Sequence, residues 1–223
     1  MNPYRTLSRL RRKRGFHPFG AGFSGQLTPL GNGDLGVPVL EREAEAQVRL
    51  SRSLGLPEWL PEPYGLALRI PDAYGSGKHQ DFLLVTSALP PVGRHALLPA
   101  RGFCDLPYST LLPYRVGGEK VVIGARGLAS RPGPKLGDLR SRERGELEFE
   151  LSIAGLVGEW RPVARLTLGG RLPPELTERL HLDPTNTGGG LELAGLLNKL
   201  RGPAYGASQE GRESAYRRFG LPE

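Results

Sequence analysis

Residues 146–153 read E-L-E-F-E-L-S-I, a strict alternation of polar and apolar side chains. Residues 160–168 read W-R-P-V-A-R-L-T-L and alternate almost as regularly. Because successive side chains of a β-strand point to opposite faces of a sheet, a period of two predicts half-buried strands. This part of the chain is therefore predicted to form a sheet with one apolar face.

The same kind of pattern recurs towards the N-terminus. Further strands are predicted over residues 20–28, 44–53, 64–71, 81–86, 109–116 and 120–125. A turn cluster at residues 72–77 and the pair Gly117-Gly118 predict two hairpins. About eight strands with repeated hairpins indicate an antiparallel barrel, which leaves no exposed sheet edges.

The predicted fold is mainly β (α+β), with three regions. A basic arm covers residues 1–13, the antiparallel barrel covers residues 14–172, and a helical segment that packs on the barrel covers residues 173–223. Pro174 indicates the start of a short helix. Leucines at helical intervals predict a second helix over residues 191–200. Residues 131–145 are polar and are predicted to be an exposed loop.

The composition favours a protein with a buried core. Of 223 residues, 38% are hydrophobic, so wholesale disorder is not expected. Cys104 is the one cysteine, so no intrachain disulfide can form, which fits a reducing compartment. We expect this thiol to be buried. The sequence shows neither an apolar run of roughly 20 residues nor the apolar core of a signal peptide. We therefore expect a cytoplasmic protein without a membrane segment.

The formal net charge is +7, and much of it lies in residues 5–14. A basic cluster of this kind can bind nucleic acid or another anionic surface. The simpler interpretation, which we favour, is a solvated N-terminal arm, because charge alone specifies no partner.

Two segments near opposite ends carry candidate chemistry. Residues 14–25 read R-G-F-H-P-F-G-A-G-F-S-G, and Thr28 follows. Residues 201–205 read R-G-P-A-Y, and a tail containing Arg212 follows. The first segment resembles the distal haem segment of catalases, R-x-x-H-x-x-G-x-G-x-x-G. The second resembles their proximal haem segment, R-x-x-x-Y.

Shorter stretches resemble catalases in the same order along the chain. They are V-R-L-S at 48–51, Y-G-L-A-L-R-I-P at 64–71, the strand that starts at Asp81, and D-P-T-N at 183–186. The chain thus resembles the catalase-like superfamily over roughly residues 14–90 and 182–212. The resemblance implies a catalase-like barrel and a haem b cofactor.

The resemblance also implies a role for each matching residue. Tyr205 would be the proximal ligand of the haem iron, and Arg201, one helical turn earlier, would favour its phenolate form. His17 would be the distal acid–base group, since imidazole exchanges protons near neutral pH. Arg14 and Arg49 would bind the haem propionates, since a guanidinium can hold a carboxylate with two hydrogen bonds.

The sequence departs from the family in two respects. Thr86 and Ser87 lie where catalases have their distal asparagine, and a hydroxyl offers fewer hydrogen bonds than an amide. A long stretch between the barrel and the proximal segment is also largely absent. We therefore favour a small catalase-related peroxidase that acts on hydrogen peroxide or organic hydroperoxides with an unknown reductant. Homo-oligomerisation stays open. The alternative is a haem-free binding protein with the same fold, whose basic arm binds an anionic partner.

Overall fold

One antiparallel sheet of ten strands dominates the computed structural model, which describes residues 19–31, 36–141 and 147–194. The strands are β1 (Phe19–Pro29), β2 (Ala44–Arg52), β3 (Tyr64–Ile70), β4 (Gln80–Thr86), β5 (Tyr108–Ser109), β6 (Tyr114–Val116), β7 (Glu119–Gly127), β8 (Glu148–Gly155), β9 (Arg161–Arg171) and β10 (Leu191–Leu193).

Eight of these strands close into a barrel. Their order is β7-β5-β4-β3-β2-β1-β9-β8, and β8 pairs back onto β7. The two remaining strands lie outside the ring. β6 pairs with the same edge of β7 that β5 uses further along, and β10 pairs with β6. The predicted mainly β fold with an antiparallel barrel of about eight strands is thus confirmed.

Alternation along the strands separates an apolar interior from an outer face. In β8, Phe149, Leu151 and Ile153 are at most 1% exposed and belong to a single hydrophobic core. That core receives side chains from every strand of the barrel. The pattern of residues 146–153 therefore acts as predicted from Glu148 onwards, where β8 begins.

Both predicted hairpins form. β3 pairs with β4, and β6 pairs with β7 through Gly117 and Gly118. These two glycines have φ values of 54° and 91°, a conformation that a tight hairpin turn requires and that glycine adopts without a steric cost.

The strand predicted over residues 109–116 is divided in two. Tyr108–Ser109 forms β5 and Tyr114–Val116 forms β6. Leu111 between them has a φ of 59°, and Leu112 N donates to Thr110 O at 2.7 Å, so the backbone turns here. The alternation of apolar residues did not reveal this turn.

Besides single-turn 3-10 helices at Pro38–Leu40 and Gly93–His95, the described ranges contain two short α-helices outside the sheet, and the second confirms the helix predicted at Pro174. They are α1 (Leu136–Ser141) and α2 (Pro174–Arg179). The prediction that residues 131–145 form an exposed loop is wrong for α1, because Leu136 and Leu139 are buried in the core. The helix predicted over residues 191–200 is also wrong at Leu191–Leu193, because these residues form β10 and pair with β6. Residues 195–200 lie outside the described residues.

Cys104 is buried at 2% exposure, as expected. Burial raises the pKa of its thiol. A nearby backbone hydrogen bond and the charge of Arg131 lower this pKa, but by less than burial raises it. A buried thiol held in its neutral form is a packing group rather than a nucleophile.

We predict that truncating a barrel side chain destabilises the protein strongly. Phe149→Ala should lower the free energy of unfolding by about 3–5 kcal/mol, because the fully buried ring leaves a cavity beside Tyr108. Urea denaturation followed by tryptophan fluorescence measures the change. The control is Val157→Ala, at a side chain 78% exposed, which should change stability by less than about 0.5 kcal/mol. Similar losses in both variants would contradict the assigned core.

Candidate functional site: the outer wall of the barrel

Four of the five predicted site residues lie outside the described residues: Arg14, His17, Arg201 and Tyr205. Their proposed roles stay predictions. The fifth, Arg49, lies in β2. The geometry of the site is therefore built here from Arg49 and the surface around it.

Arg49 points away from the barrel interior. Its neighbours in β2, Val48 and Leu50, are in the hydrophobic core, and side chains alternate along a strand. We call this opposite face of the barrel strands the outer wall. Arg49 pairs with Gly22 of β1 and Ala67 of β3. Although it lies on the outer wall, it is only 2% exposed.

Glycine in β1 makes room for this guanidinium. A Cβ atom on Gly20 would lie 2.7 Å from both Cζ and Nη2 of Arg49, so any larger residue would displace the side chain. β1 begins at Phe19, two positions after His17 in the sequence. A buried guanidinium here can bind a carboxylate through charge-assisted hydrogen bonds. Arg49 thus has the chemistry that the resemblance implies for it.

Small residues follow one another across the outer wall. Strand pairing aligns Gly20 with Ser51, Ser51 with Gly65, Gly65 with Val85, and Val85 with Ser109. Ser51, Gly65, Val85 and Ser109 are all buried. The absence of large side chains along this row permits a flat ligand or another chain segment to approach the backbone closely.

The row continues beyond Ser109, where an arginine and a tryptophan cover it. Gly124 is the partner of Ser109, and an added Cβ there would lie 2.6 Å from the ring of Trp160. The Arg94 guanidinium lies 4.3 Å from the centroid of that ring, within reach of a cation–π interaction. Arg94 also donates to the carbonyls of Gly155 and Gly158 at 2.9 and 2.8 Å. Burial lowers the pKa of Arg94.

Sequence reasoning missed this pair, because Arg94 lies in the single-turn 3-10 helix Gly93–His95, which is too short to show a periodic pattern. Beside Trp160 the outer wall has a cleft of about 200 Å³, lined in part by Arg126, Glu150 and Ser152. Trp160 Nε1 donates to Leu89 O at 3.3 Å, which holds the ring against the wall. Arg94 is therefore a structural group, buried under the half-buried ring of Trp160.

Thr86 and Ser87 have different environments. Thr86 Oγ1 donates to Leu98 O at 2.5 Å and accepts from Tyr64 N at 3.1 Å. The hydroxyl of Thr86 is therefore used by the backbone. The Ser87 hydroxyl is equally buried but has no hydrogen-bond partner among the described residues. The sequence alone could not distinguish the two.

A buried carboxylate attaches the segment after the barrel to β4. Asp81 is completely buried and receives two hydrogen bonds from Arg69, at 2.7 and 2.6 Å. Its Oδ2 also accepts from Asp183 N and from Asn186 Nδ2, both at 2.8 Å. Asp81 N in turn donates to Asn186 O at 2.9 Å. Residues 183–186, D-P-T-N, are thus held against the barrel by Asp81.

The described ranges contain no group of three or more His, Cys, Asp or Glu side chains that could hold a metal ion. The side chains of His79 and His95 contact backbone atoms. His79 Nδ1 accepts from Asp72 N at 3.0 Å, and His95 Nδ1 lies 2.7 Å from Leu111 O. No helix within residues 19–31, 36–141 and 147–194 combines the length and apolar character needed to cross a membrane.

Comparison with solved structures identifies the fold. A crystal structure of a fungal catalase superposes with a TM-score of 0.62 at 12% sequence identity, over 97% of this chain and 62% of the catalase chain. The chain thus spans less than two thirds of that catalase. No protein-family model matches the sequence, and no curated protein matches it either. The protein has a catalase-like fold, as its sequence motifs implied.

We predict that removing the negative charge at Asp81 costs far more stability than removing an exposed one. Asp81→Asn should lower the free energy of unfolding by about 3 kcal/mol, since Arg69 would keep a buried charge without its carboxylate. The matched control is Glu150→Gln, whose pair with Arg126 spans 3.5 Å at the surface and contributes about 0–1 kcal/mol. Chemical denaturation of both variants measures the difference, and equal losses would contradict the anchoring role.

Proposed function

We propose that this protein binds haem against the outer wall and reduces hydrogen peroxide or organic hydroperoxides. The observation that carries the proposal is Arg49, a guanidinium buried on the outer wall of a catalase-like barrel beside the first residues of β1. A haem propionate has the charge and shape that a buried guanidinium can bind.

The described residues fit a haem in two further respects. Beyond Gly20, where Arg49 lies, the row continues through Ser51, Gly65 and Val85, whose small side chains permit a flat macrocycle to approach the backbone. The buried Ser87 hydroxyl offers a hydrogen bond that no described residue uses. In this proposal Arg49 and Arg14 hold the propionates, and Tyr205, with Arg201 beside it, is the protein ligand of the iron.

The proposed reaction breaks the O–O bond of a hydroperoxide. Two electrons and two protons convert ROOH into ROH and water, and the electrons come from a reductant outside the chain. When bound, haem would supply the redox chemistry for this electron transfer. His17 would take the proton from the terminal peroxide oxygen and return it to the oxygen that carries R, so that ROH leaves, which is water when the substrate is hydrogen peroxide.

The second candidate is a haem-free binding protein with the same fold. It is favoured by the replacement of the catalase distal asparagine by Thr86 and Ser87, one of which is already used by the backbone. A folded protein that takes up no haem would support it over the first proposal.

We predict that purified protein mixed with haemin develops a Soret band, and that Arg49→Ala weakens haem affinity roughly 10–100-fold. The loss corresponds to one charge-assisted hydrogen bond of about 1.5–3 kcal/mol. Titration of the apoprotein with haemin measures it.

The control for Arg49 is Arg126→Ala, which removes a half-exposed arginine from the same outer wall and should leave the affinity unchanged. Tyr205→Phe should abolish the tyrosinate spectrum. Uptake of no haemin by the folded wild-type protein would refute the proposal.

We also predict that His17→Ala separates turnover from haem binding. Peroxide turnover should fall about 10²–10⁴-fold, the usual contribution of a positioned acid–base group, while the Soret band is retained. Stopped-flow measurement of peroxide consumption at equal haem content tests this. Loss of haem would instead make His17 a ligand, and full turnover would make it a loop residue.

A further inference from the structure

The loop between β2 and β3, residues 53–63, exposes several apolar side chains. It reads S-L-G-L-P-E-W-L-P-E-P, and Trp59 is 76% exposed. Leu54 and Leu56 are also exposed, at 44% and 37%. Single exposed apolar residues are ordinary, whereas a cluster of them marks an interaction site. We call residues 53–63 the Trp59 loop.

Buried polar groups at the base of the Trp59 loop fix its backbone. Glu62 is completely buried and pairs with Arg52, the last residue of β2. Its Oε2 accepts from Leu54 N and Gly55 N, both at 2.7 Å. The Arg52 guanidinium donates to Leu56 O at 2.6 Å. A loop that is ordered from within loses little conformational freedom when it binds a partner.

The exposed part of the Trp59 loop is suited to hydrocarbon rather than to phosphate. Residues 53–63 contain no Lys, Arg or His. Glu58 Oε1 accepts from Gly137 N of α1 at 3.2 Å, which attaches the loop to the barrel. Surfaces that bind nucleic acid combine aromatic side chains with cations in one groove. Tryptophan and leucine without cations are instead typical of segments that enter the boundary of a lipid bilayer.

Positive charge is available beside the Trp59 loop from the N-terminal part of the sequence. Strand pairing places Phe19, the first residue of β1, opposite Arg52, so the preceding residues join the barrel next to this loop. Residues 5–14 contain five arginines, one lysine and no acidic residue. Arg14 is five positions before Phe19, which keeps its Cα within about 17 Å of that residue.

We propose that the Trp59 loop and residues 5–14 together dock this protein on the surface of a bilayer that contains anionic lipids. Trp59 and the two exposed leucines enter the headgroup boundary, where tryptophan is favoured. The basic residues are attracted to the anionic headgroups. Apolar area and electrostatic attraction both strengthen binding of this kind, and neither requires a membrane-spanning segment. The proposal does not depend on the proposed haem function.

A second copy of the chain fits this surface less well than a bilayer does. A twofold contact through two Trp59 loops would bring two copies of residues 5–14 close together, each with six positive charges. Like charges that face one another oppose association. An anionic bilayer instead attracts this basic segment.

Co-sedimentation of the full chain with vesicles tests the proposal. The protein should bind phosphatidylcholine vesicles with about 30% phosphatidylserine at least about tenfold more tightly than vesicles of phosphatidylcholine alone. Added salt should weaken the binding, because it screens the attraction between the basic residues and the lipids. Equal affinity for both vesicles, or binding to neither, would overturn the proposal.

Variants of Trp59 test the role of the loop. Trp59→Ala should weaken binding to the anionic vesicles about tenfold, because it removes most of the apolar area that enters the bilayer. Trp59→Phe should keep most of the affinity but abolish the blue shift of tryptophan emission that vesicles cause in wild type. Val157→Ala, at a side chain 78% exposed in the turn after β8, is the control and should bind as wild type does.

Leu54→Ser serves as the second variant if Trp59→Ala fails to fold, and it should weaken binding in the same direction. Replacing Arg11, Arg12 and Lys13 together by alanine should weaken binding at least about tenfold. Unchanged vesicle affinity in the folded loop variants would overturn the role of the Trp59 loop. Self-association that Trp59→Ala abolishes, or retention by nucleic acid without vesicle binding, would assign the surface to another partner and overturn the proposal.

Discussion

The pairing of β8 with both β7 and β9 is the constraint on which the rest of the structure depends. It closes the sheet into a ring of eight strands, and an eight-stranded barrel has an interior that side chains can fill. Aromatic side chains occupy part of this interior and pack edge to face, Phe82 against Tyr114 and Tyr108 against Phe149. With the interior occupied by core side chains, polar chemistry has to lie on the outer wall.

The outer wall carries two buried arginines in different surroundings. Arg94 and Arg49 illustrate the difference. Arg94 donates to two carbonyls and stacks on Trp160, so it joins a loop to the barrel. Arg49 lies instead over the backbone at Gly20, where only glycine leaves space for it. Local rules of stability are most often broken at functional sites. Ser87, whose buried hydroxyl has no hydrogen-bond partner among the described residues, is one such place on this wall.

Asp81 connects the barrel to the chain that follows it. Both the backbone and the side chain of Asn186 bind Asp81, and the neighbouring Asp183 donates to the same carboxylate. The likeness of residues 183–186 to catalases therefore has a structural explanation of its own. It reflects the attachment of this segment to β4, and it supports the fold rather than the cofactor. The case for haem rests on Arg49 and on the motifs around His17 and Tyr205.

The sequence by itself determined the barrel, because alternation and glycine turns are local properties. Residues 146–153 and Gly117-Gly118 carried that information in a few neighbouring positions. It could not reveal the turn at Leu111, the helix α1 or the strand β10, since each depends on contacts with distant residues. The sequence also indicated Arg49 through its motif. Only the tertiary structure distinguished Ser87 from Thr86, because adjacent side chains of an extended segment face opposite sides: the Thr86 hydroxyl meets the backbone of Tyr64 and Leu98, and the Ser87 hydroxyl has no partner among the described residues.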